Sequence, residues 1–304
     1  MTGRKRITKP WHPRNSLWFN YVVADVIAFD ELLPSAQEHA RRRPTWQEGD
    51  PALPALYISH GAPPLFEEAE WMRQLLGWAD SIPNPRGILV VSAHWEAAPL
   101  SLSAVDPKNV VYDFGGFHPR YYKMRYDTPE ASALASQILA GLPDGLTVHQ
   151  HASRGLDHGA WVPLKVMYPN ADIPVLQMSL PTDKPEALLR LGGYLRTLRE
   201  EGILVIGSGF MTHGLPFITA DMVHAAAVPN WSRDFDSWAQ EALRSGDIDT
   251  LAAYRDLAPG LPYAHPTVEH FTPLFVTLGA GSGEVTTTID GYWWGLSRRS
   301  LQVA

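Results

Sequence analysis

The stretch Gly87-Ile88-Leu89-Val90-Val91-Ser92-Ala93-His94-Trp95-Glu96 decides how the rest of the chain is read. Four consecutive aliphatic residues after a glycine, β-branched residues among them, predict a short strand over 87–92 that is buried on both faces. Ser92 and Ala93 follow, and His94 falls where the strand should leave the sheet. Ligands of open α/β sheets bind beyond the carboxyl ends of the strands, so a histidine at that point is available for chemistry. The pattern recurs twice. Ala55-Leu56-Tyr57-Ile58-Ser59 runs into His60-Gly61, and Ile203-Leu204-Val205-Ile206 runs through Gly207-Ser208-Gly209 to Met211-Thr212-His213.

Working outward, strand-like and helix-like segments alternate from Pro54 onward. Strands are expected at 55–59, 87–92, 146–149, 173–179, 203–207 and 284–289, and helices at 67–79, 129–140, 185–200, 231–244, 247–255 and 267–279. Pro129 and Pro185 suit first-turn positions, where a missing N–H costs nothing. The expected architecture is one α/β domain, with a central, largely parallel sheet flanked by helices and a metal site at the carboxyl ends of the strands. Pro44, Gly49, Pro51 and Pro54 mark a boundary between an N-terminal extension, residues 1–50, and the main domain, residues 51–304.

The extension opens with Arg4, Lys5, Arg6, Lys9 and Arg14, followed by the apolar run 17–29. This imitates a signal peptide, but Asn20 and Asp25 interrupt the apolar part and no clean cleavage site follows, so a cytoplasmic protein is expected. The alternative role is an amphipathic arm, continuing through 36–43, that packs on the main domain or on a second copy of the chain in a homo-oligomer. A net charge of −7 argues against nucleic acid as a partner, and no apolar run reaches the roughly 20 residues needed to span a bilayer. With no cysteine, disulfides and thiolate metal sites are excluded, and any metal must be held by nitrogen and oxygen. Twelve histidines make that practicable.

The histidines differ in what surrounds them. His60 and His94 follow strands and are candidate ligands, and His213 is a fourth ligand or a general base. His158 lies in Gly155-Leu156-Asp157-His158-Gly159-Ala160-Trp161, where Asp157 is a candidate partner for the imidazole. His265-Pro266-Thr267-Val268-Glu269-His270 reads as a helix start with Thr267 as N-cap, and either Glu269 or His270 is a candidate third ligand. His118, in a Gly-rich loop with Phe114 and Arg120, is a candidate substrate contact. His149 and His151 flank Gln150 on a solvated strand end, while His12, His39 and His224 carry no signal.

Taken together, Ser59-His60-Gly61, Val91-Ser92-Ala93-His94-Trp95, Tyr112 to Phe117, Asp157 to Trp161, Met167 to Pro174, Gly207-Ser208-Gly209 with His213, and Pro266-Thr267 with Glu269-His270 resemble the class III extradiol ring-cleaving dioxygenases. The similarity is to the DOPA 4,5-dioxygenase branch, is collinear over about residues 54 to 300, and leaves the N-terminal extension outside. It implies that His60, His94 and His270 hold a metal, with His213 beside it as acid–base catalyst or further ligand. It also implies that His158 contacts the substrate. Two departures sit beside the implied pocket: Phe210 and Gly214 stand where the branch has asparagines, and the segment 264–270 differs from the usual Asn-Pro-Thr-Pro-Glu-His.

The implied working metal is Fe(II), which must take up an aromatic diol and O2 together, although Zn(II) fits the same ligands in a purified sample. Tyr112, Phe114, Phe117, Trp161 and Tyr263 are candidates for the ring slot, with plain core packing as the competing role, and Arg120 or Arg125 is a candidate for a substrate carboxylate. Two other functions fit the same histidines: a zinc hydrolase, and a non-catalytic relative that binds a partner in the crevice.

Overall fold

Residues 26–107 and 109–304 are described in a computed structural model; the basic start and most of the signal-like run 17–29 lie outside these residues. The apolar runs become strands because each can bury both of its faces. In chain order the strands are β1 (Ala55–Ser59), β2 (Gly87–Glu96), β3 (Leu100–Leu102), β4 (Val148–Gln150), β5 (Val175–Leu180), β6 (Ile203–Gly209), β7 (Val285–Ile289), β8 (Tyr292–Trp293), β9 (Leu296–Ser297) and β10 (Ser300–Val303). Eight of them form one sheet in the order β4-β3-β5-β2-β6-β1-β10-β7, and β8 pairs with β9 separately. The central run β5-β2-β6-β1 is parallel. β10 joins β1 and β7 antiparallel, and β3 meets β5 antiparallel. One α/β domain built on a largely parallel sheet is therefore what the chain forms.

Alternate residues of the central strands feed two apolar layers. Leu56, Ile58, Ile88, Val90, Leu204 and Ile206 face the helices Ala28–Arg42, Ala69–Asp80 and His158–Met167. Their neighbours Tyr57, Leu89, Val91, Ile203 and Val205 face Ser132–Gly141, Pro185–Glu200, Asn230–Ser245 and Pro273–Ala280. The helix Ala28–Arg42 is tied to the first of these layers by buried Phe29 and Ala36, and the buried Arg43 just after it reaches Asp80 at 2.7 Å.

Three expectations change. The helix placed at 267–279 starts at Pro273, so Thr267 is not its N-cap and His270 is not in its first turn. Pro273 has no N–H to give to residue 269, which confines it to the first turn. Residues 267–272 instead form a turn whose His270 carbonyl accepts from Phe210 N (2.9 Å) and Tyr57 Oη (2.9 Å). The helix expected from Pro129 starts at Ser132, because Ala131 N is drawn to the Val105 carbonyl (2.9 Å). Lastly, β2 runs on to Glu96, past the point where His94 was expected to leave the sheet. Its register with β5 jumps from Val91↔Met178 to Glu96↔Leu180, a bulge of the kind that re-aims side chains at a sheet rim. The helix His158–Met167 was not expected at all, since Gly159 and the internal Pro163 mask its periodicity.

His265 stands in the second layer between Phe235 and Phe271 and donates Nε2–H to the Met211 carbonyl (2.9 Å), leaving a buried Nδ1 without a partner. Burial lowers its pKa to about 4. The unfolded chain therefore binds this proton more readily than the fold does, and stability falls as pH drops from about 6.5 towards 4, by about 3 kcal/mol from this group. Urea unfolding at pH 7 and pH 4.5 should show a smaller acid loss for His265→Gln, whose amide can still donate to Met211. Equal losses in the two proteins would disprove the assignment.

Candidate active site

Three imidazoles meet at the carboxyl edge of the parallel strands. His60 directly follows β1, His94 sits in the bulge of β2, and His270 is carried by the turn that is hydrogen-bonded to the end of β6. His60 Nε2 lies 3.0 Å from His94 Nε2, which lies 3.2 Å from His270 Nε2. The residues come from positions 60, 94 and 270, and only the fold joins them.

What lies behind each ring fixes its tautomer. His270 Nδ1 is 2.9 Å from Glu269 Oε1, and His94 Nδ1 is 3.4 Å from Asp113 Oδ2. A carboxylate can only accept, so His270 Nδ1 carries the proton, and the negative charge of Asp113 beside His94 Nδ1 favours the same tautomer there. His60 Nδ1 faces Ser208 Oγ at 3.0 Å. Ser208 spends its own proton on the Gly159 carbonyl, so it too accepts from an Nδ1–H. That carbonyl is free because Pro163, four residues on, has no N–H to return to it. All three Nε2 atoms therefore turn a lone pair inward.

Burial and the mutual repulsion of the rings hold His60, His94, His213 and His270 well below the ordinary histidine range, which keeps them in the neutral, metal-ligating form. Three acceptor atoms at 3.0–3.2 Å with no proton between them suit a shared cation, so the residues fit a metal ion held by nitrogen.

Two further histidines flank the three. The His213 ring stacks on His270, with centroids 3.4 Å apart and planes 12° from parallel. It belongs with Glu269 and His270 rather than with the converging Nε2 atoms. The His158 ring is 3.9 Å from His94, and its Nδ1 donates to Asp113 Oδ1 at 2.8 Å. Burial opposes a charge on His158, but the Asp113 carboxylate outweighs it and raises the pKa. Asp157, the partner expected for His158, points elsewhere: it accepts from Ser92 Oγ (2.8 Å) and Gln177. Its carboxyl is pushed up to about 6 by burial and by Asp113.

Comparisons with known proteins give the family of the chain. The family described as "Catalytic LigB subunit of aromatic ring-opening dioxygenase" matches residues 54–293. The chain is 40% identical over 252 residues to "4,5-DOPA dioxygenase extradiol" of Beta vulgaris, covering 79% of this chain and 91% of that protein. It is 34% identical over 261 residues to the protein of the same name in Escherichia coli (strain K12), covering 83% and 94%. A crystal structure of an uncharacterized Escherichia coli K12 protein superposes with a TM-score of 0.70 at 30% identity, covering 83% of this chain and all of that one. The chain belongs to the LigB family. It is a ring-cleaving extradiol dioxygenase, which takes the place of the hydrolase and non-catalytic alternatives.

Within this LigB site the remaining expected contacts separate into groups. Phe114 lies edge-on to His158 at 5.8 Å and packs against Phe117, Tyr112 and Tyr122. Trp161 is wholly buried and donates to the Val111 carbonyl (3.3 Å), so it belongs to the core. His118 and Arg120 line a groove with Phe29, Asp30, Lys123 and Lys165 to which none of the converging histidines contributes, and Arg120 pairs with Asp30 at 2.7 Å. Arg125 is bound to Asp127 (2.7 Å), and Tyr263, half exposed, packs on Phe217 at 4.9 Å. Of the two residues that replace the expected asparagines, Phe210 sets a buried ring 6.4 Å from His60 and 6.2 Å from His213. Gly214 leaves room for Trp231, whose ring a Cβ would meet at 2.6 Å. Among the described residues no helix is long and apolar enough to cross a membrane.

The site is packed closely at Gly159, where a Cβ would stand 2.5 Å from Ser92 Oγ and 3.0 Å from His94 Cδ2. Gly159→Ala should cost about 1–3 kcal/mol in chemical unfolding, the usual range for overpacking. Gly115→Ala, whose Cβ would meet nothing within 4 Å, serves as the control and should unfold like the parent. Identical midpoints for all three proteins would contradict the packing described.

Proposed function

We propose that this chain is an Fe(II)-dependent extradiol dioxygenase acting on L-DOPA or a related catechol, with His60, His94 and His270 as the metal ligands. The observation that carries the reading is the trio of inward Nε2 atoms, with a hydrogen bond behind the rings of His60 and His270 and the Asp113 carboxylate 3.4 Å behind that of His94. An all-imidazole set accommodates iron and zinc alike. Zinc has no second oxidation state to offer O2, and a bound ferrous ion supplies the redox chemistry that ring opening needs. The catechol class is supported by the names of the plant and bacterial relatives, both DOPA dioxygenases.

Around the metal the chain's own groups divide the proton work. His213 is neutral and is the base that takes a proton from a catechol hydroxyl. His158, whose pKa its bond to Asp113 raises against the effect of burial, is the donor that holds an oxygen of the reacting pair. Two imidazoles whose surroundings push them apart in this way form an acid–base pair. Phe114, edge-on to His158, is a wall of the ring slot, and the buried Phe210 ring helps keep water from His60 and His213. His118 and Tyr263 are outer contacts, and Arg120 takes a substrate carboxylate only by giving up Asp30.

Anaerobic Fe(II) loading followed by L-DOPA and a panel of other catechols in air should give a yellow ring-opened product, with one O2 consumed per turnover. Zn(II)-loaded protein should give none. No O2 uptake from any catechol by iron-loaded protein would overturn the proposal. His60→Ala and His94→Ala should lose the metal on gel filtration, whereas His213→Ala should keep it and turn over about 10²–10⁴-fold more slowly. Normal turnover in His213→Ala would remove its role as base.

A further inference from the structure

Asp113 lies outside the histidines from which the metal site is built, yet its two oxygens serve two of them. Oδ1 accepts from His158 Nδ1 (2.8 Å) and from the His158 backbone N–H (3.1 Å), while Oδ2 is 3.4 Å from His94 Nδ1. The rings it holds are only 3.9 Å apart, one in the trio of inward lone pairs and the other on the side where Phe114 stands. We propose that Asp113 is a positioning residue that locks the metal side and the substrate side of the site into one fixed arrangement.

The loop that carries Asp113 is built to hold it. Val111 N donates to the Leu156 carbonyl (2.7 Å) just before the helix that begins at His158, and the Val111 carbonyl accepts from buried Trp161 Nε1 (3.3 Å). Tyr112 Oη donates to the Met124 carbonyl (2.7 Å). The two residues just before the carboxylate are thus anchored, and the next residue, Phe114, is packed against Phe117, Tyr122 and Trp161. Glu269 makes a useful contrast, since among the described residues the one ring it is hydrogen-bonded to is His270, and its other hydrogen bond is from Thr267 Oγ1 (3.0 Å). A carboxylate that merely neutralised the site would need neither the split between two rings nor the backbone bond to His158.

In Asp113→Asn the side chain keeps its shape but loses its charge and one terminal atom becomes a donor, so it can no longer both accept from His158 and present a negative oxygen to His94. Removing such a partner typically weakens metal binding 10–100-fold. This inference rests on the three-imidazole metal site, so the test uses ligands that report the two sides separately. Co(II) affinity, by competition with a chelator, reads the His94 side. Binding of 4-nitrocatechol to Co(II)-saturated protein, by its visible spectrum, reads the His158 side. Asp113→Asn should lose about 10–100-fold on the first and at least tenfold on the second, with the thermal midpoint of the apoprotein within about 3 °C of the parent. Glu269→Gln should lose on the first only.

If Asp113→Asn matches Glu269→Gln, or binds both ligands like the parent, the proposal is wrong. Should Asp113→Asn not fold, Asp113→Glu carries the same test: its longer carboxylate keeps the charge, displaces both rings and should lower both affinities. Parental values for Asp113→Glu would also overturn the proposal. A parent protein that binds neither Co(II) nor 4-nitrocatechol would instead overturn the metal site itself, and this inference with it.

Discussion

The site depends on keeping three imidazole lone pairs pointed at one another. Left to themselves, such rings would rotate, take up protons or move apart, since lone pairs at 3.0–3.2 Å repel. None of these escapes is open. Rotation would break the bonds from Nδ1 to Ser208 and Glu269 and take His94 Nδ1 away from the Asp113 carboxylate. Protonation is opposed by burial and by the neighbouring rings. Separation would require moving β1, the bulge of β2 and the turn after residue 266, each held by backbone hydrogen bonds to the core. The fold stores an arrangement that becomes favourable when a cation shares the three lone pairs, which is how a dispersed set of residues gains affinity for a metal.

The supporting parts reach further than the rings. Pro163 is usually unwelcome inside a helix, yet here it releases the Gly159 carbonyl to Ser208, which in turn fixes the tautomer of His60. Gly159 has no side chain because Ser92 and His94 occupy the space a Cβ would take. The unusual residues of this helix start are therefore explained by what lies opposite them, and not by helix propensity. Asp157 adds a similar compromise. It is the N-cap by position, but its carboxylate turns inward to Ser92 and Gln177 and caps nothing.

Much of this was legible along the chain and some was not. The aliphatic runs at 55–59, 87–92 and 203–207 gave away the parallel strands, and their ends gave away His60 and His94, because strand direction in such a sheet dictates which end is open. The pattern alone could not decide between Glu269 and His270. Both are used, one inward and one behind it, and adjacent residues in a turn can take such complementary parts where residues of a regular helix could not. Asp113 and Ser208 went unnoticed as partners because they act across separations of 45 residues to His158 and 148 to His60. No local spacing records a contact of that kind. The helix after His158 was missed for a related reason, since its glycine and proline answer to tertiary demands.

The departures from the family pattern bear on how wet the site is. Where the resemblance leads one to expect an amide, Phe210 places a buried ring against His60, His213 and Trp71. An amide there would offer hydrogen bonds to an imidazole or to bound water, whereas the phenyl ring offers neither and removes solvent from the same volume. Lower local polarity strengthens every remaining electrostatic contact, including that between Asp113 and His158, and penalises any charge left unpaired. On the Phe210 side lie His60 and His213, neutral rings that lose little by it, while the charge of the site is gathered at Asp113. The surroundings of the histidines are thus divided into an apolar side at Phe210 and a charged side at Asp113.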